Sequence, residues 1–282
     1  KKEEDWKYTS LWDLSQQQFT HEPLTANITA DQVDKAALLD DSYRVVIADG
    51  VFSTELSNLD GLQEGLFICS FASEKGIKKA QPHLGQQLDL EKAGFNALNT
   101  LLMNDGYMIA VTADTKVEKP IEIVFINSGV TENLATHLRN TVVMAANSKA
   151  TVIEHYVGLT DAVSFTNVIT EVVLSNDAEL NQYKLQQESL NAFHVATLSA
   201  NQGSGSQWNT SSIALGAKLA RTDVHAKLNG QQSHTQLDGL YIVTGEQHVD
   251  HHTHIDHTVP NTTSDELYKG VLDEQSHAVF NG

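Results

Sequence analysis

The stretch KATVIEHYVG, residues 149–158, is the first clear copy of a unit that recurs to the end of the chain. Each copy begins with a polar turn and a small residue and continues as a strand. Residues at the equivalent position of successive copies are 28 residues apart, which predicts a repeat without a gap. They are Ala150, Ala178, Ser206, His234 and Thr262. Each interval holds a second strand, and these are FTNVITEVVL (165–174), AFHVATLSA (192–200), KLARTDVHAKL (218–228) and HVDHHTHIDH (248–257). A strand-and-turn repeat of fixed period is typical of a solenoid, in which each coil buries its apolar side chains against its neighbours.

Residues 1–106 have a different pattern, which predicts a smaller α/β region in front of a strand-rich core over residues 107–282. Asp49-Gly50 divides two apolar runs in YRVVIADGVF (43–52) and predicts a β-hairpin, because that turn needs positive φ at both central residues. Apolar residues at helical spacing predict one amphipathic helix from His83 to Met103: Leu84, Leu88, Leu90, Phe95, Leu98, Leu101 and Leu102.

Two shorter stretches of this region also predict local structure. Thr29, with Gln32 three residues later, predicts a capped start for a short helix over TADQVDKAALL (29–39). The opening KKEEDWKYTSLWDL (1–14) places large side chains among charges, which predicts an anchor that pins the segment to the core or to a partner: Trp6, Tyr8, Leu11 and Trp12.

Composition argues against several classes of function. The 282 residues include 18 Lys and Arg against 36 Asp and Glu, a net charge of -18 that repels phosphate backbones and anionic membrane surfaces. We therefore expect no nucleic-acid and no membrane partner. The single cysteine, Cys69, permits no intramolecular disulfide and fits a reducing compartment, so we expect a cytoplasmic location. In its apolar context Cys69 is interpreted as a small core residue rather than a nucleophile.

The alternation in KLARTDVHAKL predicts a strand with one buried and one solvated face. Ala220, Thr222, Val224, Ala226 and Leu228 would take the buried face. The other face would carry Leu219, Arg221, Asp223, His225 and Lys227.

The histidines of HVDHHTHIDH are the strongest candidate for a site. On a strand, one face would carry His248, Asp250, His252, His254 and Asp256. Imidazoles two residues apart with carboxylates between them could bind zinc, iron or copper, with His248, His252 and His254 as ligands. The alternative is a polar ladder in which each imidazole hydrogen bonds to a neighbouring coil. The spacing matches none of the usual zinc-helix or zinc-finger signatures.

No complete active site is recognisable from the residues. The sequence contains no GxGxxG after a strand, no GxxxxGK[ST] nucleotide loop and no GxSxG elbow. A carbohydrate-acting β-helix enzyme would need a long groove with acidic and basic residues together, which the sequence does not indicate. We therefore predict no catalytic and no cofactor-binding residue, and we do not expect an enzyme.

Three stretches resemble the SufB/SufD family of iron–sulfur cluster assembly proteins, and the SufD branch most. They are EDWKYTSL (4–11), KATVIEHYVG (149–158) and SHAVFNG (276–282), with LYKGVL (267–272) just before the last. The resemblance implies a mainly β fold with a right-handed parallel β-helix core preceded by a smaller α/β region.

The resemblance also implies a non-catalytic scaffold subunit that pairs with a SufB-like paralogue and works with a SufC-type ATPase. The full complex would assemble the Fe–S cluster and the ATPase would use the ATP, so no cofactor is expected in this chain. A homodimer is a further possibility. The family's Cys-x-His element and ATPase-docking helices would lie beyond Gly282, so we expect this fragment to fold as the core without assembling the full complex. Cys69 matches no family thiol, and no cluster-binding residue is transferred.

Overall fold

The computed structural model describes residues 6–86, 88, 90 and 93–282, and its secondary structure is mainly β. The helices are α1 (Trp12–Ser15), α2 (Ala30–Ala36), α3 (Glu74–Ala80) and α4 (Gly94–Leu102). The strands of the first half are β1 (Tyr43–Ala48), β2 (Val51–Asn58), β3 (Leu66–Ser70), β4 (Tyr107–Val111), β5 (Ile121–Asn127) and β6 (Leu134–Met144). Those of the second half are β7 (Lys149–Gly158), β8 (Ser164–Leu174), β9 (Glu179–Gln187), β10 (Phe193–Gln202), β11 (Gln207–Ala214), β12 (Leu219–Leu228), β13 (His234–Val243), β14 (His248–His257), β15 (Thr263–Leu272) and β16 (His277–Asn281). Within the described residues, no helix has the length and apolar character needed to cross a bilayer.

The strands form two eight-stranded sheets that face each other. Sheet I has the order β15-β13-β11-β9-β7-β5-β1-β2, and sheet II has the order β16-β14-β12-β10-β8-β6-β4-β3. From β5 onward the chain alternates between the sheets, and from β6 onward each strand pairs in parallel with the strand two positions earlier. This is a parallel β-solenoid of about six turns, which confirms the predicted fold class.

The coils differ in length, so the predicted constant spacing of 28 residues was wrong. Ala150 pairs with Leu180 rather than Ala178, so the predicted position in the first copy is displaced by two residues. Trp208 pairs with Thr235, so the predicted position at His234 is displaced by one residue. The error arose because the inter-strand turns absorb insertions and deletions while the register of hydrogen bonds is preserved.

A small buried residue ends each turn that leads into a strand of sheet I. Ser148, Ala178, Ser206 and Ser233 are at most 1% exposed. Each donates its backbone N–H to the carbonyl three residues earlier, over 3.2 to 3.4 Å. The three serines also donate their hydroxyl to that same carbonyl, over 2.6 to 2.8 Å. Burial at this position favours a small side chain. Ala178 and Ser206 occupy it as predicted, whereas Ser148 and Ser233 occupy it in place of the predicted Ala150 and His234.

The N-terminal region extends both sheets. Asp49 and Gly50 adopt positive φ, 48° and 83°, in the turn between β1 and β2, so the predicted hairpin is confirmed. β1 pairs in parallel with β5, and β4 pairs in parallel with β6. The region therefore shares its core with the first coils of the solenoid.

The helix predicted from His83 to Met103 was wrong in its first half. Only α4 is helical, and the chain from His83 to Gln86 forms turns after α3. Leu84 packs with Phe71 and Met108, whereas Phe95 packs into a different cluster. The regular spacing of the leucines therefore predicted one helix across two segments that pack into different clusters. Gln87, Asp89, Glu91 and Lys92 lie outside the described residues.

The short helix predicted from Thr29 is confirmed with an earlier end. Gln32 N–H donates to Thr29 Oγ1 over 3.3 Å, and Thr29 N–H donates to Gln32 Oε1 over 2.9 Å, which is the predicted capping box. The helix ends at Ala36 because Ala37 is already extended.

Candidate functional site

An N-terminal strap, residues 6–20, lies across the outer face of sheet II. The Trp6 ring lies 4.0 Å from the Arg221 guanidinium, and Lys218 Nζ pairs with Asp13 at 2.7 Å. The strap adds apolar side chains to one cluster on this face: Leu14, Leu11 and Phe19 with Phe165, Phe193 and Leu219. The predicted anchoring is confirmed for Trp6 and Leu11, whereas Tyr8 and Trp12 remain 69% and 68% exposed. Lys1–Asp5 lie outside the described residues.

Asp250 on β14 is the centre of a polar network beneath the strap. It accepts hydrogen bonds from Thr9 Oγ1 and, over 2.8 Å, from Arg221 Nη1. Its second oxygen lies 2.9 Å from His252 Nε2. Burial would raise the pKa of Asp250, but the hydrogen bonds from His252 and Thr9 and the charge of Arg221 lower it below its ordinary value. The carboxylate therefore stays ionised and holds the side chains of Thr9, Arg221 and His252 in place.

The three histidines predicted as metal ligands point to different surroundings. His248 Nε2 lies 3.0 Å from Thr9 Oγ1 under the strap, and His252 is held by Asp250. His254 is exposed, and its ring centre lies 6.1 Å from that of His225 on β12. Within the described ranges, no three or more His, Cys, Asp or Glu side chains are grouped so that they could enclose one ion.

A cleft of about 500 Å³ opens on the same face, between the strap and the N-terminus of α4. Its walls include Trp6, Phe95, Arg221 and Asp223, together with the three histidines His225, His252 and His254. The guanidinium of Arg221 is bound by two carboxylates, Asp223 at 2.8 Å and Asp250 at 2.8 Å. This trio carries one net negative charge, so the cleft favours a cation over an anion.

The interior of the solenoid contains charged side chains that the sequence analysis did not predict. Glu154 on β7 and Lys184 on β9 are register neighbours on the inner face of sheet I. Glu154 accepts hydrogen bonds from Tyr107 over 3.0 Å and from Tyr156 over 3.3 Å. Lys184 Nζ donates to Thr222 Oγ1 on sheet II over 3.2 Å. Burial raises the pKa of Glu154 and lowers that of Lys184 to about 8, while their mutual attraction opposes both shifts.

A second buried carboxylate, Glu188, lies close to this pair. Its Oε2 is 2.7 Å from His194 Nδ1, and Gln186 Nε2 donates to it over 2.9 Å. Thr166 Oγ1 donates to its other oxygen. Burial, and then the charge of Lys184, lower the pKa of His194, so the ring is neutral near pH 7. One signal in the sequence could have revealed this interior: the alternation from buried Leu180 places Lys184 on the same inward face.

Two buried histidines should make the fold sensitive to acid. Burial lowers the pKa of His137 to about 4 and that of His251, on the inner face between Tyr241 and Tyr268, to about 3. In the unfolded chain both rings bind a proton near pH 6.5. Between pH 6.5 and 4 the unfolded state binds more protons, so stability falls as pH is lowered. We expect each histidine to cost about 2 kcal/mol between pH 7 and pH 5.

Urea denaturation at several pH values measures this loss. The double variant His137→Asn/His251→Asn should show a much shallower dependence of the free energy of unfolding on pH. His257→Asn, which changes an exposed ring on β14, is the control and should keep the original slope. A stability that stays flat between pH 5 and 7 in the unmodified protein would contradict the assignment.

Family models account for nearly the whole chain. The model of the SUF system FeS cluster assembly SufBD core domain matches residues 125–282, and the model of the SufBD protein N-terminal region matches residues 1–123. The chain belongs to the SufBD family. The resemblance seen in the sequence is thereby confirmed, and the matched core begins within β5.

Individual relatives match all or part of the chain. The chain is 27% identical over 299 residues to an iron–sulfur cluster assembly SufBD family protein of Synechocystis. It is 29% identical over 284 residues to the iron–sulfur cluster assembly protein SufD of Escherichia coli. Both alignments cover 100% of this chain and 64% of the relative. The chloroplastic protein ABCI7 of Arabidopsis thaliana is 27% identical over 195 residues, covering 67% of this chain and 41% of its own length. The chain thus spans less than two thirds of the length of these relatives.

Proposed function

We propose that the chain is a non-catalytic scaffold subunit in iron–sulfur cluster assembly. It pairs with a SufB-like paralogue and works with a SufC-type ATPase, and the complex builds the cluster and transfers it to acceptor proteins in the cytoplasm. The observation that carries this proposal is the match of the whole chain to SufD of Escherichia coli, whose name states the assembly role.

The packing of the solenoid supports a scaffold. The interior cavity beside Glu154 and Lys184 is only about 20 Å³, which is room for one water molecule and not for a substrate. The outer face of sheet I, by contrast, exposes large apolar side chains on four successive strands of the described chain: Tyr183, Ile213, Ile242, Leu267 and Val271. Exposed large apolar side chains on neighbouring strands of one sheet face are typical of surfaces that bind another protein.

Pairing with the paralogue can be measured directly. We expect the chain, co-expressed with a SufB-like paralogue from the same genome, to elute from gel filtration as one complex with equal amounts of both chains. Separate elution of the two chains would contradict the proposal. Elution of this chain only as a homodimer would contradict it as well, and the net charge of -18 opposes that outcome.

The assignment of ATP use to the partner has its own control. The purified chain should hydrolyse no ATP, and hydrolysis should appear when the ATPase is added. Changing the lysine of the ATPase's nucleotide loop should abolish the activity of the mixture. ATP hydrolysis that persists with the altered ATPase would mean that the mixture contains another nucleotide-binding site.

A further inference from the structure

We propose that the outer face of α3 is a docking surface for a short acidic segment of another protein. The helix carries three exposed lysines, Lys75, Lys78 and Lys79, in a chain whose net charge is -18. Ile77, on the same helix, is 50% exposed. These four residues form the α3 patch. A surface that joins cationic and apolar side chains is complementary to a segment that joins carboxylates with an apolar side chain.

The positive charge of the α3 patch is not neutralised within the protein. Of the carboxylates that the structure describes, none forms an ion pair with the ammonium groups of these three lysines. Other exposed lysines do have such a partner, as Lys119 pairs with Asp41 and Lys149 pairs with Glu179, each at 2.6 Å. The ammonium of Lys79 lies 4.7 Å from the centre of the Phe67 ring, a contact that leaves its charge in place.

The stability of the helix explains only part of this arrangement. Lys78 and Lys79 lie in the last turn of α3, where the helix macrodipole favours a positive charge. Lys75 lies in the first turn, where the same dipole disfavours it. Lys75 also precedes the other two by three and four positions, so like charges are neighbours on the helix surface and repel one another. A bound anion would relieve this repulsion and offset the unfavourable position of Lys75.

The backbone under the α3 patch is held firmly against β3. A side chain at Gly76 would overlap the carbonyl oxygen of Ser70, so glycine is what permits this close approach. The Gly76 N–H donates to Ser73 Oγ over 3.0 Å, which caps the start of the helix. Ala80, near its end, is fully buried. Binding would therefore order only the side chains of the patch and not its backbone.

The size of the α3 patch favours a protein segment over a long polyanion. The seven residues of α3 span about 10 Å, which is the length of about three residues of an extended chain. A nucleic acid that runs beyond this length would meet the strongly acidic remainder of the surface and be repelled. A short acidic segment supplies carboxylates to the lysines and an apolar side chain to Ile77.

Fluorescence anisotropy with a short labelled peptide of glutamates around one leucine tests the proposal. We expect the peptide to bind the unmodified chain, and its affinity to fall about tenfold in Lys75→Gln/Lys78→Gln/Lys79→Gln, since three exposed ion pairs are lost. Ile77→Ser keeps every charge and should lower the affinity about threefold, because it removes the apolar contact. Circular dichroism of each variant checks that the fold is intact.

A matched variant separates the α3 patch from the overall charge of the protein. Lys35→Gln/Lys116→Gln/Lys269→Gln removes the same charge from three exposed lysines elsewhere on the surface and should keep the affinity within about twofold. Four outcomes would overturn the proposal. They are no binding of the peptide to the unmodified chain, no loss in the α3 patch variant, equal losses in the two triple variants, and tighter binding of inorganic polyphosphate than of a peptide of equal charge.

Discussion

Arg139→Ala should destabilise the protein by about 3–5 kcal/mol, because it leaves a buried carboxylate without its partner. Arg139 and Glu171 are both 0% exposed, and two guanidinium nitrogens contact Glu171 Oε2 over 2.7 and 3.0 Å. Asn99 of α4 accepts a further hydrogen bond from Arg139, and the backbone N–H of Gly85 donates to Glu171. The pair thus joins sheet II to the segments that cover it, and urea denaturation measures its loss.

A double replacement separates charge pairing from packing. Arg139→Met/Glu171→Leu keeps apolar volume and removes both charges, so it should recover most of the stability lost in Arg139→Ala. The comparison requires that both variants show the same denaturant slope as the unmodified protein. A loss below about 1 kcal/mol in Arg139→Ala would show that water or a neighbouring group replaces the guanidinium without cost.

Trp208→Ala should cost about 3–5 kcal/mol, because it leaves a large cavity between the two sheets. Trp208 is the largest fully buried side chain among the described residues, and its indole N–H donates to Gln182 Oε1 over 3.3 Å. It lies on β11, where parallel strands on both sides hold the backbone and limit collapse around the cavity. Denaturation followed by circular dichroism measures the effect without relying on tryptophan fluorescence.

Tyr183→Ala is the matched control for this core replacement. Tyr183 lies on the neighbouring strand β9 but on the outer face of sheet I, where it is 46% exposed. We expect this change to cost less than about 1 kcal/mol. Equal losses in the two variants would mean that Trp208 does not occupy the interior that the strand alternation assigns to it.

The strand KLARTDVHAKL shows how much of a strand's burial can be predicted from the alternation of its own residues. Thr222, Val224, Ala226 and Leu228 are buried as predicted, and His225 and Lys227 are exposed. Leu219 and Arg221 were predicted on the solvated face and are nevertheless buried, because the strap packs over them. That cover comes from residues more than 200 positions earlier, and nothing within the strand itself signals it.

The sequence likewise predicted only part of the candidate site. The sequence located the histidine-rich strand and the face that carries His248, His252 and His254. Which of these rings meet depends on the register between β12 and β14, since it brings His225 beside His254. Period alone could not supply that register, because the coils vary in length. The interior charges of Glu154 and Lys184 were missed because charged side chains are ordinarily solvated.

The strap also has a consequence for the order of folding. Thr9 leaves the ribosome before its hydrogen-bonding partners His248 and Asp250, which follow 239 and 241 positions later. The strap must therefore wait, undocked, until both partners have been made, whereas every coil can stack on its predecessor as it emerges. Closure of that long loop is the step that ties the strap to the coil that contains β14.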